Sequence, residues 1–404
     1  MGYRVVIAAL LILHSTAFPA QEPALTVSSA APHDELAQLD DANEIRVTFS
    51  EPMVALGAPD VAVPDWVTIE PAVRLLASWS GTRTLILTPD PDAPLGFGST
   101  YRIRIGSGAR SLSGRSLTRP FELTFTTPTA RLIGADWYRV DGQVGQPVHI
   151  RLRFNQPMAP AEVLGHLRVA HERHTLGPDT FVGVLSAEER AQWAREDSAN
   201  LATFDARVAA IREVTQSQSA VDVALAQTWD LTRFPHDDAS VVLQTAAPPA
   251  PGSWLRLSLD DSLTGREGTT PHPAQSSVIQ LELPLMPERP QCTRDCDPEN
   301  WWQLTPSVTR GLHADEIRER LIVANVVDGR EQVVTPGAMS RPDYRPTDGH
   351  LMLSTAFQGY APPLPASRRV YQLSEDTTSI DGQVLGFRWR QTVTTRHASP
   401  YTIL

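Results

Sequence analysis

Two short segments constrain the architecture more than anything else in this chain. Residues 44–53 read EIRVTFSEPM and residues 147–158 read PVHIRLRFNQPM, and each alternates apolar and polar side chains until a proline stops it. Phe49 to Met53 (FSEPM) and Phe154 to Met158 (FNQPM) share Phe, Pro and Met at a spacing of 105 residues. Alternation with a period of two marks a strand with one buried face, and recurrence of the same strand ending at that spacing marks a repeated module.

Each module has a second anchor. Residues 84–117 begin TLILTPDPDAPLGFGSTYRIRI, residues 240–268 begin SVVLQTAAPPAPGSWLRLSL, and residues 350–386 begin HLMLSTAFQGYAPPLPASRRVYQL. Each is a strand, a Pro-rich turn, a strand led by an aromatic residue (Tyr101, Trp254, Tyr371) and a Gly-containing loop. The first anchor is degraded in the third module, to WWQLTPSV at 301–308, so two modules follow directly and a third by extension. Short strands with turn signals about every ten residues suit antiparallel β-sandwiches. Val47, Phe49, Leu85, Leu87, Tyr101, Ile103 and Ile105 are expected to face the core, with Arg102 and Arg104 in water.

Composition narrows function by exclusion. The 404 residues suffice for two or three domains. All 35 basic residues are Arg, which removes Schiff-base lysines and a Walker lysine. Against them stand 46 acids, and a net charge of -11 disfavours nucleic acid and anionic lipid as partners. Arg4 precedes an apolar run from Val5 to Leu13 and then small residues, the layout of a secretory signal peptide over 1–20 with no lipid-anchor cysteine. No later stretch reaches the length of a membrane span, so the mature chain is expected to be periplasmic or secreted. Its two cysteines, Cys292 and Cys296 in QCTRDCDPEN, then meet an oxidising compartment and are expected to form a small-loop disulfide. Zinc lacks further ligands at C-x2-C spacing. The neighbouring acids Asp295, Asp297 and Glu299 read as a solvated linker, with calcium as the alternative.

From Ser186 to Asp230 the chain turns rich in Ala, Glu, Arg and Gln, and Ser186 with Glu189 makes a capping-box pattern. About two helices are expected over 186–230. Ala187, Ala191 and Ala194 share one face, and Phe204, Val208 and Ile211 another. Two readings stand: a cap packed against the sandwich, or a docking surface for a partner.

Candidates for chemistry are weak. HERH at 171–174 spaces its histidines three apart beside a strand, where a zinc protease needs four on a helix, so it reads as a solvated strand end, with His166 as a possible third imidazole for adventitious metal. His236, Asp237 and Asp238 lack a nucleophile context. Asp40 with Asp41, and Asp260 with Asp261, fall in turns. Trp301 and Trp302 point to opposite faces if on a strand, and Trp137 with Tyr138, or Trp301, would serve a carbohydrate-binding platform. No catalytic residue, cofactor site or metal site is assigned.

The order of these elements resembles the bacterial Ig-like domains at the N-terminal end of bacterial alpha-2-macroglobulins. FSEPM, then WSGTRTLILTPDPDAPLGFGSTYRIRI, then PFELTFTTP carry the likeness in the first module; FNQPM, the insertion opening with SAEER, and the C-x3-C-x-P run carry it onward. The resemblance implies tandem Ig-like sandwiches with a small helical insertion in the second: 21–128, 129–288, a linker over 289–299, and 300–404. It also implies a periplasmic protease trap with proteases, or a companion macroglobulin chain, as partners. The family's thioester needs a C-x-E-Q type sequence, whereas Cys292 precedes Thr293, Arg294 and Asp295, and Cys296 precedes Asp297, Pro298 and Glu299. The expectation is therefore a non-enzymatic module array without the covalent trap or bait region, from a truncated, stand-alone or split system. A cell-surface or carbohydrate-binding array is the alternative.

Overall fold

The computed structural model describes residues 24–57, 62–177, 185–300, 303–335, 361 and 363–397. The 1–20 segment, Trp301, Trp302 and the 350–360 anchor lie outside the described residues. The chain divides into two compact units, Met1–Thr129 with Glu267–Thr270, and Ala130–Arg266 with Pro271–Leu404.

Unit 1 is a two-sheet sandwich. Its strands are β1 (Val27–Ala31), β2 (Asp34–Glu35), β3 (Ile45–Phe49), β4 (Val67–Glu70), β5 (Leu75–Ser80), β6 (Thr84–Pro89), β7 (Thr100–Ile105) and β8 (Phe121–Thr126). They form the sheets β1-β3-β6-β5 and β2-β8-β7-β4, antiparallel except for the parallel pair β2 with β8. The seven apolar residues expected inside are all buried in one cluster with Leu123 and Phe125, and Arg102 and Arg104 are exposed. Period-two alternation suffices here because a sandwich strand has one wet face and one dry face.

Unit 2 begins with a second sandwich. β9 (Leu132–Arg139), β10 (Val148–Phe154), β12 (Val223–Leu225) and β13 (Ser240–Thr245) make the sheet β12-β13-β10-β9. β11 (Leu167–His171), β14 (Trp254–Leu259) and β15 (Gln275–Gln280) make the sheet β11-β14-β15. Helix α1 (Pro160–His166), with its proline in the first turn, follows FNQPM and leads into β11. An ion pair between Arg139 and Glu282 lies inside, at 2.6 Å. The Arg139 guanidinium also donates to the carbonyls of Val144, Gln146 and Pro249, so the buried cation is fully engaged.

The third module carries β16 (Pro287–Glu288) paired with β17 (Ser307–Val308), helix α4 (Ala314–Arg320), and β18 (Leu321–Val327), β19 (Arg330–Val333), β20 (Arg368–Leu373) and β21 (Trp389–Thr394) in the order β19-β18-β20-β21.

The insertion holds two helices, α2 (Ala187–Glu196) and α3 (Ser198–Gln216). The capping box forms: Glu189 N–H donates to Ser186 Oγ (3.2 Å) and Ser186 N–H to Glu189 Oε2 (2.7 Å). Helix ends at Gln216, short of the expected Asp230, and Val223–Leu225 is a strand pairing with β13. Ala and Gln favour helix locally, but the apolar alternation of that stretch is satisfied only by a sheet neighbour. The Ala187, Ala191 and Ala194 stripe is exposed, and Trp193 takes the buried face, since one indole removes far more apolar surface from water than three methyl groups.

The helices cap the third module instead of their own sandwich. Trp193, Phe204 and Ile211 are buried in one cluster with Leu321, Val323, Phe387 and Trp389. Phe204 stands edge-on to both Trp193 (centroids 5.7 Å apart) and Phe387 (5.1 Å).

Candidate functional site

The linker between the second sandwich and the third module, the two insertion helices and the outer edge of β21 meet in one place. Cys292 and Cys296 are disulfide-bonded, with Cα atoms 5.8 Å apart. Far from being a free linker staple, Cys296 is buried in the third module's core. The loop that the disulfide closes lies along β21 as a short extra strand. Cys296 N–H donates to Thr394 O, Thr394 N–H to Thr293 O, and Arg396 N–H to Cys296 O, each at 2.9 Å. Asp295 N–H reaches Thr394 Oγ1 (3.1 Å), and Asp297 pairs with Arg396 (2.6 Å).

At the other end of β21, one side chain imitates a strand. Asn200 of α3 donates from Nδ2 to Arg388 O (2.9 Å) and accepts at Oδ1 from Arg388 N–H (2.7 Å), the pair of bonds a β neighbour would make. Asp197, which caps α3 by accepting from Asn200 N–H (3.0 Å), also forms an ion pair with Arg388. Arg289 and Arg294 pair with Glu189 and Glu188 of α2. Among the described residues, the outward backbone of Arg390 and Thr392 is what is left between these clamps, and Thr392 O accepts from the Gln391 amide (3.1 Å).

A second joint ties the sandwich to the third module. Gln383 donates from Nε2 to Leu283 O (3.0 Å) and accepts from Leu285 N–H (2.7 Å), while Val144 N–H donates to Asp381 O (2.9 Å). Arg310 holds Asp381 at 2.6 Å. Gly382 sits at φ +82°, and a Cβ there would fall 2.6 Å from Gln143 Oε1, so this turn needs glycine.

A solvent-open cleft of about 310 Å³ beside β21 is lined by three arginines, Arg320, Arg388 and Arg390. Each is already answered by a carboxylate, of Asp376, Asp197 and Glu331 respectively. The cleft is therefore a neutralised salt-bridge network.

The sequence candidates fall as follows. His166, Asp260 and Ser262 come together in a Ser–His–Asp composition, but Ser262 Oγ (3.2 Å) and Asp260 Oδ1 (3.1 Å) both contact Nδ1 of the imidazole. A relay needs the serine on Nε2 and the acid on Nδ1. Here Ser262 donates to Asp260 (2.6 Å), which together with the Ser262 N–H holds the Asp260 carboxyl down to about 2. The cluster is a hydrogen-bonded turn.

His174 is buried, correcting its reading as part of a solvated strand end. Its ring stacks on Trp254 (4.3 Å, 9°) and donates from Nε2 to Gly252 O (2.9 Å). The Nδ1 atoms of His171 and His174 are buried without a hydrogen-bond partner among the described residues. Burial holds both imidazoles below their ordinary pKa. Both sit where the chain returns from α3 over the edge of β11: His171 N–H donates to Ser219 O (2.9 Å), Val221 N–H to Val169 O (2.9 Å) and His174 N–H to Thr215 O (3.0 Å).

Tyr138 is buried, with its hydroxyl 2.7 Å from His149 Nδ1 and accepting from Asp230 N–H (2.8 Å). Phe234 and Arg233 cover its ring, and Trp137 packs on the sandwich core, so the pair offers no open aromatic platform. Asp237 caps the turn before β13, and Asp238 pairs with Arg266. Asp41 accepts from Gln38 N–H (3.1 Å) in a local turn. Among the described residues no three His, Cys, Asp or Glu side chains are placed to hold a metal ion. No helix among them is long and apolar enough to cross a membrane.

Comparison with curated proteins finds no match. Among solved structures, L,D-transpeptidase 3 from Mycobacterium tuberculosis is 15% identical over 33% of this chain and 48% of that chain, with a TM-score of 0.17. Native alpha-2-macroglobulin from Escherichia coli spanning domains MG0-NIE-MG1 is 12% identical over 92% and 97%, with a TM-score of 0.23. The Yersinia pseudotuberculosis adhesin InvE is 10% identical over 64% and 59%, with a TM-score of 0.24. The chain spans about half the length of the L,D-transpeptidase 3 structures it matches. Overlap at this level fixes no activity. The family model of the bacterial Ig-like domain matches residues 21–127, and that stretch of the chain is similar to such a domain.

Proposed function

We propose that this chain is a non-enzymatic, exported Ig-like scaffold that works through its sandwich surfaces, in the manner of the N-terminal module array of a bacterial alpha-2-macroglobulin and without the covalent trap. The observation that carries this reading is the double joint of unit 2. The helical insertion of one sandwich is consumed in capping the next module, and Gln383 sews the two backbones together. Such an arrangement presents surfaces at fixed geometry and spends its polar groups on the joint. The bacterial Ig-like domain and the disulfide support an extracytoplasmic location. The partners proposed are proteases or a companion chain that carries the thioester. Buried Tyr138 weighs against the carbohydrate-binding alternative.

The test is incubation of the purified protein with a panel of proteases. The expected outcome is reversible, stoichiometric association with no adduct surviving reducing, denaturing electrophoresis. A stable covalent adduct overturns the reading, as does turnover of an ester or peptide substrate that the Ser262→Ala variant lacks.

A further inference from the structure

We propose that β5 of unit 1 is a docking edge at which a second copy of this chain pairs antiparallel, extending the sheet across a two-fold axis at Ala77. The register supplies the first reason. Asp90 N–H donates to Arg74 O (3.0 Å), and β5 pairs with β6 as Leu76 with Thr88, Ser78 with Ile86 and Ser80 with Thr84. Antiparallel pairs alternate between bonded and unbonded positions. Leu75, Ala77 and Trp79 therefore turn their N–H and C=O groups away from the sheet, and none of the three has a backbone partner on that side among the described residues.

The second reason is that, among the described residues, the usual protections are missing. Folded proteins blunt such edges with charge, proline, bulges or a covering segment. β4 is closed by Pro71, β19 carries Arg330 and Glu331, β11 lies under Ser219–Val221, and β21 is clamped at both ends. β5 reads LLASWS, with no charge, no proline and no glycine, and Leu76 is 55% exposed.

Charge selects the occupant. Turned about Ala77, Leu75 of one copy lies opposite Trp79 of the other, Leu76 opposite Ser78, and Arg74 opposite Ser80, so no like charges meet. Leu75 and Trp79 already lean on the core of unit 1 and complete their burial against each other. A charged peptide finds no complement along this strand, whereas a neutral strand bearing Leu and Trp finds one in its own copy. The net charge of -11 opposes approach of two chains, so added salt strengthens this pairing, the reverse of an ion-pair interface.

The test uses the purified wild-type protein. Sedimentation equilibrium between about 10 μM and 1 mM, the range of a small transient interface, is expected to show a reversible dimer that tightens several-fold from low to high salt. Amide hydrogen exchange at Leu75, Ala77 and Trp79 is expected to slow with protein concentration over the same range. Leu76→Lys, at an exposed position, is expected to weaken the dimer at least tenfold while leaving the melting temperature unchanged. Leu76→Val keeps the strand neutral and is expected to retain it. A monomer at 1 mM overturns the proposal, as does a dimer that leaves those three amides unprotected or that Leu76→Lys does not weaken. Capture of a strand from another protein without self-association also overturns it, because the occupant is then not a second copy.

Discussion

β5 in unit 1 and β21 in unit 2 are both last strands of four-stranded sheets, and they are treated in opposite ways. β21 has Asn200 at one end and the disulfide loop at the other, leaving the outward backbone of Arg390 and Thr392. β5 leaves three alternate residues, Leu75, Ala77 and Trp79, with outward backbone groups and carries no charge. The guards of β21 come from far away in the chain, one from the insertion of the preceding sandwich and one from the linker that precedes the module. Edge protection here is therefore a product of module coupling, and among the described residues the sandwich of unit 1 has no such insertion of its own.

Uncoupling the helices from the third module is the strongest way to break this contrast. Phe204→Ala removes a buried ring that touches Trp193 and Phe387, and a loss of about 3–4 kcal/mol in unit 2 stability is expected from such truncations. Denaturant unfolding monitored separately for the two units checks this: unit 1 should not move. Exchange of the Arg388 amide should rise in the same variant, because its cap leaves with the helix.

Asn200→Ala tests the edge mimic alone. It leaves the N–H and C=O of Arg388 without their partner and is expected to cost about 1–3 kcal/mol. Asn200→Asp should cost less than Ala at the N–H and more at the C=O, since a carboxylate accepts but does not donate; amide exchange at Arg388 separates the two.

Reduction of Cys292–Cys296 comes next. The closed loop is short, so the chain-entropy contribution is about 2 kcal/mol or less. The hydrogen bonds of Thr293 and Cys296 to Thr394 should persist after reduction, with only moderately faster exchange at Thr394. Complete loss of protection there would mean that the disulfide, and not the backbone pairing, holds the guard in place.

The smallest effect concerns the cover over β11. Burial lowers the pKa of His171 and His174 in the folded state. The unfolded chain then binds protons more readily, so this part of the stability is complete above about pH 6.5 and is lost as pH falls below that value toward the depressed folded pKa. Hydrogen exchange at Ser219 to Val221 should quicken over that window, and His174→Gln should flatten the response, while β5 shows no change.

Much of this molecule was legible before any coordinates. In unit 1 the inward set Val47, Phe49, Leu85, Leu87, Tyr101, Ile103 and Ile105 followed from alternation, because a strand's two faces are decided by neighbours one residue apart. The Ser186–Glu189 cap was legible for the same reason, being a three-residue interaction. With two cysteines in the chain, the disulfide had one possible pairing.

The site at the joint was not legible. Nothing local distinguishes Asn200 from any polar residue in a first helical turn, nor Gln383 from any loop glutamine, and both act on backbone about 100 or more residues away. His174 looked like a wet strand end because its burial is provided by Trp254 and the return of α3, not by its neighbours.

What the amino-acid sequence by itself determined was therefore everything that depends on short-range periodicity: the sandwich class, the strand faces, the presence of the insertion helices and the cap that opens the first of them, and the redox partner of each cysteine. Only the tertiary structure decided which module those helices cover, which sheet edges are guarded and which stands open, and which histidines are dry. Those outcomes depend on the apolar and hydrogen-bonding surfaces that meet once the modules are packed, and a residue's own neighbours carry no record of them.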